Sequence, residues 1–82
     1  MGLSAFDEVR KMASDIFGVP AAKLTADSSP DTVESWDSVQ HLNLILALES
    51  EFKLHFEPEE IDRMKTIGDV SALVAAKLAR GN

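Results

Sequence analysis

The run formed by residues 37–52 constrains this chain more than any other stretch. Asp37 is a good helix N-cap, because its carboxylate accepts a hydrogen bond from an otherwise unpaired backbone N–H. Behind it Leu42, Ile45, Leu46, Glu49 and Phe52 recur at helical spacing, and Leu48 widens the stripe, so a helix with one buried face is expected from Ser38 to about Phe52. Ser38 then lies in the first turn, where a hydroxyl sits at the helix mouth within reach of solvent.

The other elements follow from the same signals. Ser4 caps a first helix over residues 4–17, with Asp7 three positions on as a capping-box partner. Phe6, Val9, Met12, Ala13, Ile16 and Phe17 form its apolar stripe, Gly18 ends it, and Pro20 blocks its continuation. Residues 21–36 show no sustained period and read as a long loop, opened by a possible helical turn over 20–24. Leu24, Val33 and Trp36 are expected to pin that loop to the core. The second helix has no glycine at its end. Pro58 suits the first position of a short third helix, which Ile61 and Met64 give one apolar edge. Thr66 caps a last helix with Asp69 completing the box, and Ile67, Val70, Leu73, Val74 and Leu78 make its stripe. Lys77 and Arg80 suit the negative end of its dipole, and Gly81 closes it. No stretch alternates as a strand does. Single apolar faces must share one core, so the expected fold is all-α: one domain over residues 1–82, a four-helix bundle with three main helices and a short third.

Composition narrows the chemistry. The chain has 82 residues and no cysteine, so a disulfide, a thiolate metal site or a thiol nucleophile of its own is excluded. The net charge is -6, and ten of the 14 acidic residues fall between Asp27 and Asp62 against Lys53 alone. That concentration favours basic protein partners, or simply solubility, and disfavours nucleic acid, whose phosphates it repels. The N-terminus lacks the pattern of a signal peptide and no apolar run is long enough to cross a bilayer, so a cytoplasmic protein without membrane insertion is expected.

Catalytic and metal motifs are missing. The four glycines are isolated, which removes a phosphate-binding loop, and there is no GxSxG elbow. His41 and His55 have no neighbours to complete a metal-ligand set. Glu57, Glu59, Glu60 and Asp62 read as a solvated face. His41 shares a helix face with Asp37 and Ser38, so a Ser–His–Asp relay is geometrically conceivable. A small bundle without an oxyanion hole or substrate walls argues against hydrolysis, and an exposed His41 touching a partner is the preferred reading. Trp36 is either an anchor for the loop or an exposed contact, with the anchor preferred. Capping alone would account for Asp37-Ser38, although a phosphate on Ser38 would be well placed at a helix N-terminus.

Taken together, Asp37-Ser38-Val39, the following Leu42, Leu44, Ile45, Ala47, Leu48, Glu49 and Phe52, the Glu57-Pro58 start of a short helix and Thr66-Ile67-Gly68-Asp69-Val70 resemble the acyl carrier and peptidyl carrier protein family over nearly the whole chain. The resemblance implies that Ser38 is the attachment point of 4'-phosphopantetheine, with Asp37 as its motif neighbour. A phosphopantetheinyl transferase would form the phosphodiester from coenzyme A with Mg²⁺. The chain itself would have no catalytic residues. The thiol absent from the sequence would be the cofactor's, and would hold acyl or aminoacyl groups as thioesters. Helix two would be the main recognition surface, with Trp36, Val39, Gln40, His41, Asn43 and Glu49 as candidate contacts and Glu60 beside them on the third helix. A loading ligase or transferase and downstream synthase enzymes would be the further partners, and a shuttle of this kind is expected to be a monomer.

The chain departs from the family pattern in instructive places. Val39 stands where leucine is usual, Gln40 and Asn43 where fatty-acid carriers bring acidic residues, and Trp36 where many carriers have a small or aliphatic one. Trp36-Asp37-Ser38 is similar to discrete carriers of specialised pathways, among them polyketide, modified fatty acid and aminoacyl carriers. The competing expectation is a helical interaction module without a prosthetic group.

Overall fold

The computed structural model describes residues 4–79. They form α1 (Ala5–Phe17), a 3-10 turn (Ala21–Lys23), α2 (Ser38–Phe52), α3 (Pro58–Asp62) and α4 (Ile67–Ala79), with no strand among the described residues. No helix among them is long and apolar enough to cross a membrane. α1 packs against both α2 and α4. Val9, Ala13, Leu44, Leu48, Ile67, Val70 and Val74 are fully buried where these helices meet.

Local chemistry sets most of the boundaries. The Ser4 hydroxyl oxygen accepts the Asp7 N–H at 3.2 Å, and Gly18 closes α1 in the left-handed region at φ 71°. Asp37 accepts the Gln40 N–H at 2.9 Å, and Thr66 accepts the Asp69 N–H at 3.0 Å. The Asp69 carboxylate reaches one residue further back than a capping box requires, taking the Lys65 N–H at 3.2 Å. Ahead of Pro58 the Glu57 N–H donates to the Glu60 carboxylate at 2.8 Å, which holds the first turn of α3. Arg80 and the Gly81 cap expected for α4 lie outside the described residues.

The long loop is ordered by side chains that pin it. Leu24, Val33 and Trp36 are buried as expected, and Ser28 joins them with its hydroxyl oxygen accepting the Thr25 N–H at 2.9 Å. The loop also caps the start of α4. The Ile67 N–H donates to the Ser28 carbonyl at 3.0 Å and the Gly68 N–H to the Ala26 carbonyl at 2.9 Å, so two otherwise unpaired donors are satisfied. This close approach favours glycine, since a Cβ at position 68 would lie 3.0 Å from the Ala26 carbonyl oxygen.

Three sequence expectations are corrected. On α2 the buried stripe is Leu44, Ile45 and Leu48 with Phe52 partly covered, while Leu42 and Leu46 are 54% and 63% exposed. Residues 42–48 are apolar around most of the helix, so helical spacing is satisfied by either stripe. Tertiary contacts choose between them. On α4 Leu78 is exposed, whereas Lys77 is buried: its ammonium turns inward to the Glu60 carboxylate at 3.0 Å and lies 5.6 Å from the centre of the Phe56 ring.

The end of α2 is made by Lys53, which adopts φ 56°, ψ 50° and donates its N–H to the Glu49 carbonyl. A side chain carries a penalty in this region that glycine escapes. Lys53→Gly is therefore expected to raise stability by about 0.5–1 kcal/mol after allowance for the freer unfolded chain. Urea unfolding should show a higher midpoint at unchanged slope.

Candidate functional site

The loop meets α2 at Trp36-Asp37-Ser38. Asp37 is extended at φ −101°, ψ −175°, and its carboxylate supplies the cap. The Ser38 hydroxyl is thereby spared capping duty. Ser38 is the first residue of the 15-residue α2 and is exposed. The positive end of the helix dipole and its free N–H groups surround that position.

Behind Ser38 the aromatic residues form a stack. Phe17 and Trp36 have ring centroids 5.0 Å apart at 28°, and Trp36 and His41 have centroids 6.0 Å apart at 23°. The Trp36 indole Nε1–H donates to His41 Nδ1 at 3.0 Å, so a neutral His41 carries its proton on Nε2. Two further bonds tie the junction to the end of α1. Ser35 Oγ donates to the Phe17 carbonyl at 2.7 Å, and Gln40 Nε2 donates to the Ile16 carbonyl at 3.3 Å. An open cleft of about 820 Å³ runs from Ser38 to α3. Asp31, His41 and Leu42 are among its lining residues, as are Ile61, Met64 and Lys65.

These contacts re-sort the candidate residues. Trp36 is 3% exposed, an anchor and not an exposed contact. His41 is half-buried, with its Nδ1 engaged by Trp36 instead of a carboxylate, so the Ser–His–Asp relay is not assembled. Gln40 is half-buried and braces α1, while accepting a bond from Asn43 Nδ2 at 2.8 Å. The Glu49 carboxylate accepts the Phe56 N–H at 2.9 Å, and Glu60 is committed to Lys77 and the Glu57 N–H. Of the proposed contacts on α2, Val39 and Asn43 are exposed to solvent. Leu42 and Leu46 join them, and sequence reasoning had placed both inside. The signal available for them was a surplus of apolar residues on α2, more than one face can bury.

The outer face of α2 is therefore an apolar ridge. Val39, Leu42 and Leu46 are three of the four large hydrophobic residues exposed among the described residues, and they begin one position after Ser38. Apart from His41, residues 38–48 carry no ionisable side chain.

Comparison with known proteins bears on this geometry. Residues 7–74, which include Ser38, match the family described as phosphopantetheine attachment site. An acyl carrier protein of Petrotoga mobilis is 32% identical over 73 residues, covering 89% of this chain and 86% of that protein. An acyl carrier protein of Clostridium acetobutylicum is 31% identical over 71 residues, covering 87% and 92%. Among solved structures, the solution structure of a holo acyl carrier protein from Geobacter metallireducens superposes with a TM-score of 0.86 at 33% identity, covering 96% of this chain and 91% of that one. On the sequence match and the shared four-helix architecture together, the chain belongs to the phosphopantetheine-attachment family, as an acyl carrier protein.

Proposed function

We propose that Ser38 is the residue that carries the 4'-phosphopantetheine group, and that the chain is a discrete carrier serving a specialised pathway. The observation that carries the first part is an exposed hydroxyl at the first position of α2, left free because Asp37 makes the cap. Ser38 Oγ forms the bond to phosphorus in place of the leaving 3',5'-ADP of coenzyme A, and its proton is lost to a base or to water. The phosphodiester then sits where backbone N–H groups and the helix dipole favour negative charge. When attached, the group supplies the thiol on which acyl or aminoacyl cargo is held. The chain's own residues present that group and dock the enzymes that use it. Incubation with coenzyme A, Mg²⁺ and a broad-specificity phosphopantetheinyl transferase tests the reading. Intact mass should rise by one phosphopantetheinyl group, and peptide fragmentation should place it on Ser38. No increment with any of several transferases would overturn it.

The second part rests on the ridge of α2. Val39 to Leu46 spans ~10 Å along the helix axis, with His41 its one ionisable side chain. A partner reading α2 through a basic patch finds no counter-charge there, whereas one with an apolar groove finds three side chains to cover. The transferase and a dedicated loading ligase or synthase are the partners such a surface would serve. Leu46→Asp should raise the KM of the transferase for this chain by about 10-fold or more, since burying a leucine is worth roughly 1.5–3 kcal/mol. Raising salt should change the parent's KM little, because Val39, Leu42 and Leu46 offer no ion pair to screen. A steep salt dependence together with a silent Leu46→Asp would favour electrostatic docking and remove the specialised reading.

A further inference from the structure

We propose that Trp36 and His41 are a positioning pair for the reaction at Ser38, and that their hydrogen bond holds the acceptor turn in its reactive arrangement. The inference rests on the reading of Ser38 as acceptor. Its basis is the way the bond is strung across the chain. Trp36 precedes the cap and His41 follows the first turn, so the Nε1–H to Nδ1 bond at 3.0 Å closes a ring of six residues with Asp37 and Ser38 inside it. Within that ring the Asp37 carboxylate holds the Gln40 N–H at 2.9 Å, and the Asp37 carbonyl accepts the His41 N–H at 2.8 Å.

The pair is fixed from behind and open in front. Trp36 is buried and stacked on Phe17, and Phe17 in turn accepts Ser35 Oγ through its carbonyl. The indole therefore cannot shift without disturbing the end of α1. His41 is half-buried and lines the cleft that opens at Ser38. A rigid anchor thus acts on the first turn of α2 through one imidazole nitrogen. Capping alone does not require this, since Asp37 already satisfies the cap.

Loss of the bond leaves a buried indole N–H without an acceptor, and that is unfavourable. The loop end is then free to lift from α2, and the first turn frays. Only the fraction of molecules with the turn formed presents Ser38 correctly. The apparent affinity of an enzyme for the acceptor falls by that fraction, while the step after binding is unchanged.

The test uses three variants of the whole chain. His41→Phe keeps a ring against Trp36 and removes the acceptor. His41→Asn places an amide oxygen close to where Nδ1 stood and restores one. Trp36→Phe removes the donor and keeps the stack on Phe17. Each is checked by circular dichroism for folding at the assay temperature. The exchange rate of the Trp36 indole proton is read by NMR in the chains that retain it, and transferase kinetics with coenzyme A and Mg²⁺ are measured in all.

The expected result is faster indole exchange in His41→Phe, with a KM about 3–10-fold above the parent at nearly unchanged kcat. Trp36→Phe should show the same kinetic change. His41→Asn should recover both slow exchange and the parental KM. Should His41→Phe fail to fold, Trp36→Phe decides the question alone. Parental KM in a folded variant that has lost the bond overturns the inference, as does His41→Asn regaining the bond without regaining KM. A parent that is never loaded overturns the Ser38 reading itself and takes this inference with it. A parent that loads beside variants of equal KM overturns this inference only.

Discussion

Ser38→Ala is expected to take up no phosphopantetheinyl group under conditions that load the parent chain to completion, while melting at the same temperature. Both halves matter. On the proposed reading the chemical half is absolute, because a phosphodiester at residue 38 needs an oxygen there and alanine offers none. Thr25, Ser29 and Thr32 carry hydroxyls in the loop, but the last two are engaged: Ser29 Oγ accepts the Asp31 N–H at 3.2 Å, and Thr32 Oγ1 accepts the Ser29 N–H at 2.9 Å and donates to the Ser29 carbonyl at 3.2 Å. None of the three opens a long helix.

The stability half separates the acceptor from the cap. Ser38 is exposed, and the capping bond belongs to Asp37. Alanine is at least as good a helix former as serine in a first turn. Truncating Ser38 should therefore leave the melting temperature within error. Asp37→Ala should behave in the opposite way, costing about 1 kcal/mol of stability through the lost cap while keeping the acceptor oxygen. Mass spectrometry and thermal unfolding of the two variants together decide whether Asp37-Ser38 is one capping unit or a cap beside an attachment point. Loading of Ser38→Ala would mean that another hydroxyl is the acceptor. A large fall in its melting temperature would mean that Ser38 is itself structural.

The parts of this molecule that sequence reasoning reached are those decided within a few residues. Ser4, Gly18, Asp37, Pro58 and Thr66 set helix ends because capping is a matter of one side chain and the next turn of backbone. Leu24, Val33 and Trp36 pin the loop because a large apolar residue amid polar ones has nowhere else to go. The parts that sequence reasoning missed depend on contacts between elements. α2 carries apolar residues on so many sides that its spacing fits two stripes, and packing against α1 selects the one with Leu44 and Leu48. Lys53 takes a left-handed conformation that composition does not announce, because the chain must turn there to bring Leu54 and Phe56 into the core. The site divides in the same way. Ser38 at a helix mouth is legible from Asp37 and the residues after it. The bond between Trp36 and His41 is not, since a five-residue separation spanning a loop end and a helix has no periodicity to reveal it.

Lys77 is the clearest case of a residue whose surroundings override its local reading, and it carries the largest stability effect expected here. At the end of α4 a lysine suits the helix dipole from the surface. Instead its side chain is 5% exposed, its ammonium is 3.0 Å from Glu60, and the Phe56 ring lies beneath it. Through Glu60 it also reaches the Glu57 N–H, so one cation ties α4 to both ends of the first turn of α3. A five-residue helix has little stability of its own, and this tie with Ile61 and Met64 is what holds it over the core.

Lys77→Ala should therefore cost about 3 kcal/mol, within the range of roughly 3–5 kcal/mol seen when one partner of a buried pair is removed. The alkyl stem also leaves a void beside Phe56. Lys77→Met isolates the charge, since it keeps most of the stem and removes only the ammonium. It should recover the packing but still leave Glu60 without its cation. The double variant Lys77→Met with Glu60→Gln should regain most of the loss, because no unpaired charge then remains. Urea unfolding of the parent, Lys77→Met, Glu60→Gln and the double variant closes the cycle, with Lys77→Ala measured beside them. If Lys77→Ala unfolds with the parent's midpoint, the pair contributes nothing, and α3 is held by Ile61 and Met64 alone.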